Sequence, residues 1–123
     1  MKSESLLKSF QYAINGLLYV IRTQRNAQIH IVAFVLVLAM AGWLQLPPLH
    51  WAVLILTAGL VIVAEIANTV IETVVDLVSP DYHELAGRAK DVAAGGVLLT
   101  AILAIPVGLI LLGPRLLEKL TGG

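Results

Sequence analysis

A chain of 123 residues in which 59% are hydrophobic and 13% charged is composed for lipid rather than for an ordinary soluble domain. Eight Lys and Arg balance eight Asp and Glu, which speaks against a basic nucleic-acid binder and against an acidic disordered tail. With no cysteine there is no disulfide framework, thiol nucleophile, thiolate zinc site or iron–sulfur cluster, and three histidines remain as candidate ligands.

Lys2, Ser3, Glu4 and Ser5 open the chain, and the first long apolar run starts only near Ile29, too late for a cleaved secretory signal. The mature protein is therefore expected to be the whole chain. Neither a repeat of solenoid length nor a Ser/Gly-rich linker divides it, so a single membrane domain over residues 1–123 is expected. Within residues 5–24, Leu6, Leu7, Phe10, Ala13, Ile14, Leu17, Leu18 and Ile21 recur at the spacing of one helical face, with Lys8, Gln11, Asn15 and Arg22 on or beside the other. A soluble amphipathic helix docked on a partner has the same pattern. The spans that follow favour a helix lying in the membrane surface.

Three runs approach or exceed the roughly 20 apolar residues a helix needs to cross the hydrocarbon. Residues 29–46 carry no charge after His30 and stop at Pro47-Pro48. Residues 49–78 are uncharged as far as Ala64 and then present Glu65, Asn68, Glu72 and Asp76, so their second half must face protein, water or the interface. Residues 92–112 are uncharged and include Gly95-Gly96 and Pro106, which membrane helices tolerate. The fold expected is all-α: a surface helix followed by three transmembrane helices.

Lys2, Lys8, Arg22 and Arg25 precede the first span, and Arg88 and Lys90 lie between the second and third. The Pro47–His50 turn has no basic residue, so the positive-inside tendency places the amino terminus and the Ser79–Asp91 loop in the cytoplasm. Arg115 and Lys119 then fall outside, on the carboxy-terminal tail.

At about 100° per residue, Glu65, Asn68, Glu72 and Asp76 lie within about 80° of one another and form one polar stripe. Glu65 and Glu72 are about 10 Å apart along the axis, a separation that suits two tasks better than one shared proton. The deeper carboxylate is the more desolvated and suits a general base, and the shallower one suits a hydrated cation. A polar cluster that only holds helices together is the plainer alternative, but four such residues on one face favour function. Beside the stripe, Asp81, Tyr82, His83, Glu84, Arg88, Lys90 and Asp91 read equally as a solvated charged turn or as nucleotide ligands, with Lys90 for phosphate and His83 or Asp91 for the rest. There is no Gly-x-x-x-x-Gly-Lys and no Gly-x-Gly-x-x-Gly, so the common phosphate-binding loop and the protein-kinase apparatus are excluded.

The block Glu65-Ile66-Ala67-Asn68-Thr69-Val70-Ile71-Glu72-Thr73-Val74-Val75-Asp76, with Tyr82-His83-Glu84-Leu85 and Ala89-Lys90-Asp91 after it, resembles the prokaryotic diacylglycerol kinase and undecaprenol kinase family. The resemblance reaches from Ser9-Phe10-Gln11-Tyr12-Ala13 through Asn26 and Ile29-His30 to Ala93-Ala94-Gly95. It implies a small multi-pass kinase of the cell (inner) membrane, working as a homotrimer with sites between protomers. In that family MgATP donates its γ-phosphoryl to a membrane lipid alcohol, with no nucleic-acid partner. Carried over by position, the resemblance implies Glu65 as general base, Asn68 beside it, Glu72 on Mg²⁺ and Asp76 in support. Tyr12, Asp81, Tyr82, His83, Lys90 and Asp91 would contact the nucleotide.

One position departs from the family pattern. Gln24 stands where a second metal-binding glutamate is usual, and its carbonyl oxygen can ligate a cation without adding charge. Asn26 and Ile29-His30 resemble the undecaprenol branch, whereas residues Tyr82 to Arg88 resemble the diacylglycerol enzymes, so both acceptors stand. A small proton-coupled transporter or channel would also use intramembrane carboxylates, but it gives Lys90-Asp91 no task. A regulatory membrane protein descended from a kinase is the third reading, raised by Gln24.

Overall fold

The computed structural model describes residues 3–122, with side chains from Ser5 onward. Lys2, counted above with the basic residues of the amino-terminal side, lies outside them. Four helices follow one another: α1 (Ser3–Thr23), α2 (Arg25–Trp43), α3 (Pro48–Val78) and α4 (Glu84–Thr121).

Helices α2, α3 and α4, of 19, 31 and 38 residues, are long and apolar enough to cross a membrane. Their rise gives about 28, 46 and 57 Å against a hydrocarbon core of about 30 Å. Helices α3 and α4 therefore overshoot the hydrocarbon, which leaves room for charged turns at their ends. Large apolar side chains such as Leu36, Leu56 and Ile110 stay exposed on the outer faces, as lipid contact requires. On α1, Leu6, Leu7, Phe10, Ile14 and Leu17 are likewise uncovered by the rest of the chain.

Local chemistry sets the corners. Gln24 separates α1 from α2 with an extended backbone, φ −102° and ψ 108°. The Gln28 side-chain amide donates to the carbonyls of Ile21 (2.9 Å) and Arg22 (3.4 Å), satisfying acceptors that the end of α1 would otherwise leave open. Helix α2 ends in a Schellman motif. Gln45 takes the left-handed conformation (φ 54°), its N–H donates to Gly42 O, and Leu46 N–H donates to Ala41 O, both at 3.2 Å. Pro47 and Pro48 follow, and Pro48 sits in the first turn of α3, where a missing N–H costs nothing.

At this end of the bundle Ala41, Leu44, Leu46, Leu54 and Leu112 form the buried core, with Trp51 and Leu116 against it. Arg115 donates to Leu44 O (3.5 Å) and Lys119 to Trp43 O (3.4 Å), with the Lys119 ammonium 4.9 Å from the Trp43 ring centre. The two basic residues expected on a carboxy-terminal tail are thus on α4, where their charges cap α2.

The loop expected over Ser79–Asp91 is shorter, because α4 begins at Glu84. His83 caps it by accepting Leu85 N–H on Nδ1 at 3.1 Å, and Glu84 pairs with Arg88 one turn on. Charge in this segment marks the departure from lipid, whereas the helix continues through it. Likewise α2 runs from Arg25 to Trp43 rather than over 29–46, since its first turn needs no apolar residues.

Candidate active site

The stripe foreseen on α3 is real and graded in depth. Glu65 is 2% exposed and Asn68 7%, Glu72 is half-buried and Asp76 exposed. Thr69 and Thr73, on the same stretch, turn their hydroxyls back onto the carbonyls of Glu65 and Thr69 and so ask nothing of their neighbours.

Each member of the stripe meets different chemistry. Glu65 Oε1 lies 3.3 Å from Nε2 of His30 on α2 but accepts no hydrogen bond, leaving a buried acceptor open. The Asn68 amide nitrogen donates to Glu72 Oε1 at 3.1 Å, and its own Oδ1 is buried without a partner. Lys90 Nζ, on α4, donates to Asp76 Oδ1 at 2.6 Å. Lys90 precedes the apolar run of α4, and the hydrogen bond to Asp76 holds its pKa above the ordinary lysine value.

Asp76, Asp81, Tyr82, His83 and Lys90 surround one small cleft of about 160 Å³ at the α3–α4 turn. His83 Nδ1 is occupied by the α4 cap, which leaves Nε2 as its free nitrogen. Three other residues named from the sequence stand apart from the cleft. Tyr12 is exposed on α1, Asp91 is exposed on α4, and Gln24 sits at the α1–α2 corner with its amide donating to Thr23 Oγ1 at 3.3 Å.

His30 was not among the site residues read from the sequence, although the signal was there. It is the one ionisable side chain within the first apolar run, and such a residue is a functional candidate by default.

Whether these residues suit Mg²⁺ is decided by their donors. Mg²⁺ takes oxygen ligands, keeps several waters, and is commonly held by one or two carboxylates together with substrate phosphates. The Glu72 carboxylate, with the unpartnered Asn68 Oδ1 next to it, is a donor set of that kind. No group of three His, Asp or Glu converges among the described residues, so the set matches an ion carried in with phosphates better than an all-protein cage.

Comparison with known proteins bears on this arrangement directly. Residues 11–112 match the family described as prokaryotic diacylglycerol kinase. A diacylglycerol kinase of Synechocystis sp. is 52% identical over 115 residues, which cover 93% of this chain and 66% of that protein. The undecaprenol kinase of Bacillus subtilis is 38% identical over 109 residues, covering 89% of both. The diacylglycerol kinase of Escherichia coli K12 is 42% identical over 81 residues, 66% of both chains. The chain thus spans just under two thirds of the length of the Synechocystis and Escherichia relatives and most of the Bacillus one. Since the matched segment holds α2, α3, the α3–α4 turn and the whole polar stripe, the chain belongs to the prokaryotic diacylglycerol kinase family.

Proposed function

We propose that this chain is a membrane lipid kinase that transfers the γ-phosphoryl group of ATP to the hydroxyl of a lipid alcohol, diacylglycerol or undecaprenol. The observation that carries the reading is Glu65: a buried carboxylate with an open oxygen, at the deep end of a stripe whose shallow end reaches the Asp76–Lys90 cleft. This order fits a hydrophobic acceptor approaching from lipid and a nucleotide approaching from water. Nothing in the relatives supports the transporter reading.

In the reaction, the lipid hydroxyl gives its proton to Glu65 Oε1 while its oxygen forms a bond to the γ-phosphorus. The bond from that phosphorus to the bridging oxygen of ADP breaks, and ADP leaves with the electron pair. The product is phosphatidic acid or undecaprenyl phosphate. Asn68, through its hydrogen bond, fixes the carboxylate of Glu72. Glu72, with Gln24 at the family's second metal position, would hold Mg²⁺, which when bound neutralises phosphate charge. Lys90 would leave Asp76 to meet a phosphate oxygen, and Asp76 would return it when product departs. Asp81, Tyr82 and His83 at the cleft, with Tyr12 and Asp91, would hold the rest of the nucleotide.

We read the working form as a homotrimer in the cell (inner) membrane, with the amino terminus and the α3–α4 turn cytoplasmic. Supporting this, Tyr12, Gln24 and Asp91 stand apart from the stripe's contacts within one chain, so a site completed by a neighbouring copy accommodates all of them.

The test is purified protein in lipid micelles with MgATP and either diacylglycerol or undecaprenol, scored for phosphorylated lipid. Wild type should phosphorylate one of them. Glu65→Gln is nearly isosteric and cannot take the proton, so it should lose at least about a hundredfold in turnover while still binding ATP. Wild-type turnover in that variant would remove Glu65 from the mechanism.

A further inference from the structure

We propose that His30 is the proton exit of the site: it takes from Glu65 the proton that the lipid hydroxyl has given up and passes it to water, so that the base is free for the next turnover. The proposal rests on the lipid-kinase reading and adds to it how the base is reset.

A base that accepts a proton in every cycle must lose it before the next. At 2% exposure, Glu65 cannot hand the proton to water directly. Its Oε1 stands 3.3 Å from His30 Nε2, and among the described residues His30 is the one ionisable side chain paired with it. Asn68 Oδ1, the other buried oxygen of the stripe without a partner, belongs to an amide and takes no proton at neutral pH. Glu72 is two turns further along α3, and its Oε1 is occupied by the Asn68 amide.

The surroundings of the ring suit the transfer. An imidazole gains and loses a proton near neutral pH and can carry it on either nitrogen. The His30 ring stacks on Phe34, one turn further on α2, with centroids 6.0 Å and planes 20° apart, which holds it against Glu65. Where His30 lines the space between α2 and α4, α4 brings only apolar residues and glycines, such as Ala101, Ile105 and Gly108, so no second acid or base from that helix competes for the proton. The His30 side chain is 23% exposed, and the residue lies about 7.5 Å of helix from Arg25 at the α1–α2 corner. The proton thus moves from the more buried group to the less buried one.

After phosphoryl transfer Glu65 is a carboxylic acid. Its O–H bond breaks with the electron pair left on Oε1, and the proton bonds to the lone pair of His30 Nε2, giving carboxylate and imidazolium. The imidazolium gives one proton to water and returns to the neutral ring. The phosphate of the product is the competing base; if it carried the proton away, His30 would have no part in turnover.

Pre-steady-state kinetics decide between them, with the full-length protein, MgATP and whichever of diacylglycerol and undecaprenol wild type phosphorylates. His30→Gln keeps a polar side chain beside Glu65 but carries no proton. Its first turnover should run at the wild-type rate, giving a burst of one phosphorylated lipid per site, and its steady state should fall at least about tenfold. His30→Ala opens room for a free base. Imidazole in the buffer should restore its steady-state rate several-fold without changing the KM for ATP, and pyrrole, of like shape but with no basic nitrogen, should not. A first turnover slowed as much as the steady state would make His30 a support of Glu65 alone and overturn the proposal, as would a wild-type steady state in His30→Gln. Should His30→Ala fail to fold, the burst in His30→Gln carries the test.

A readout apart from turnover separates this proposal from the kinase reading. Glu65→Gln should move the ring ¹⁵N signals of His30 and leave those of His50 and His83 in place. Turnover by wild type without that movement would overturn the proton exit and keep the kinase; wild type that phosphorylates neither lipid would sink both.

Discussion

Exchange of Gln24 for Glu adds one negative charge at the α1–α2 corner and removes the exposed 3.3 Å donation from the Gln24 amide to Thr23 Oγ1. If this position faces the cation held by Glu72, the change completes a carboxylate pair, and a charged oxygen donor outweighs a neutral one by about 1 kcal/mol. The Mg²⁺ concentration for half-maximal activity should then fall about fivefold in Gln24→Glu. Identical titrations would place Gln24 outside the metal site and leave Glu65 and Glu72 untouched. At this scale, sequence spacing revealed which side chains share a face of α3, because helical geometry alone decides that. Contacts between helices lay beyond it. The approach of His30 to Glu65 depends on how α2 packs on α3, and no periodicity within either helix encodes that distance. The same holds for Lys90, which was expected in a loop and reaches Asp76 from the second turn of α4.

Helix ends follow hydrogen-bonding chemistry, and hydropathy follows lipid, so the two need not coincide. Residues 84–91, with Glu84, Arg88, Lys90 and Asp91 among them, are helical because His83 caps them and Glu84 pairs with Arg88, whereas those charges alone suggest a loop. Pro47-Pro48 was legible as a turn, since proline cannot continue α2. The motif just before it was less so. Gln45 adopts φ 54° where glycine is usual, and nothing in its side chain announces a left-handed residue. That conformation costs a non-glycine residue about 1 kcal/mol through the clash of Cβ with the backbone, only partly offset because glycine also gains freedom in the unfolded chain. Gln45→Gly should consequently stabilise the protein by about 0.5 kcal/mol, read as a higher midpoint of unfolding in denaturing detergent, with unchanged turnover. Loss of stability would mean that the Gln45 side chain makes a contribution the backbone geometry does not reveal.

Across the whole molecule the two ends of the bundle carry different chemistry. His30–Glu65 and Asp76–Lys90 lie towards one end; the Trp43 and Leu44 carbonyls capped by Lys119 and Arg115 mark the other. Arg22 and Arg25, at the α1–α2 corner, and Arg88 and Lys90, on the first turns of α4, belong to the first end. Arg115 and Lys119, the two basic residues that run against this asymmetry, are tied to the end of α2 by hydrogen bonds and a cation–π contact, so helix capping accounts for them. The remaining asymmetry all points one way, and a nucleotide drawn from the cell interior has to reach the Asp76–Lys90 cleft from the same side. A cysteine replacing Asp81, in the turn between α3 and α4, should therefore react with a membrane-impermeant maleimide only in inverted vesicles or permeabilised cells. One replacing His50, in the first turn of α3, should react from outside in intact cells. Labelling in the reverse sense would invert the molecule, put the cleft out of reach of cytoplasmic ATP and remove the proposed kinase activity with it.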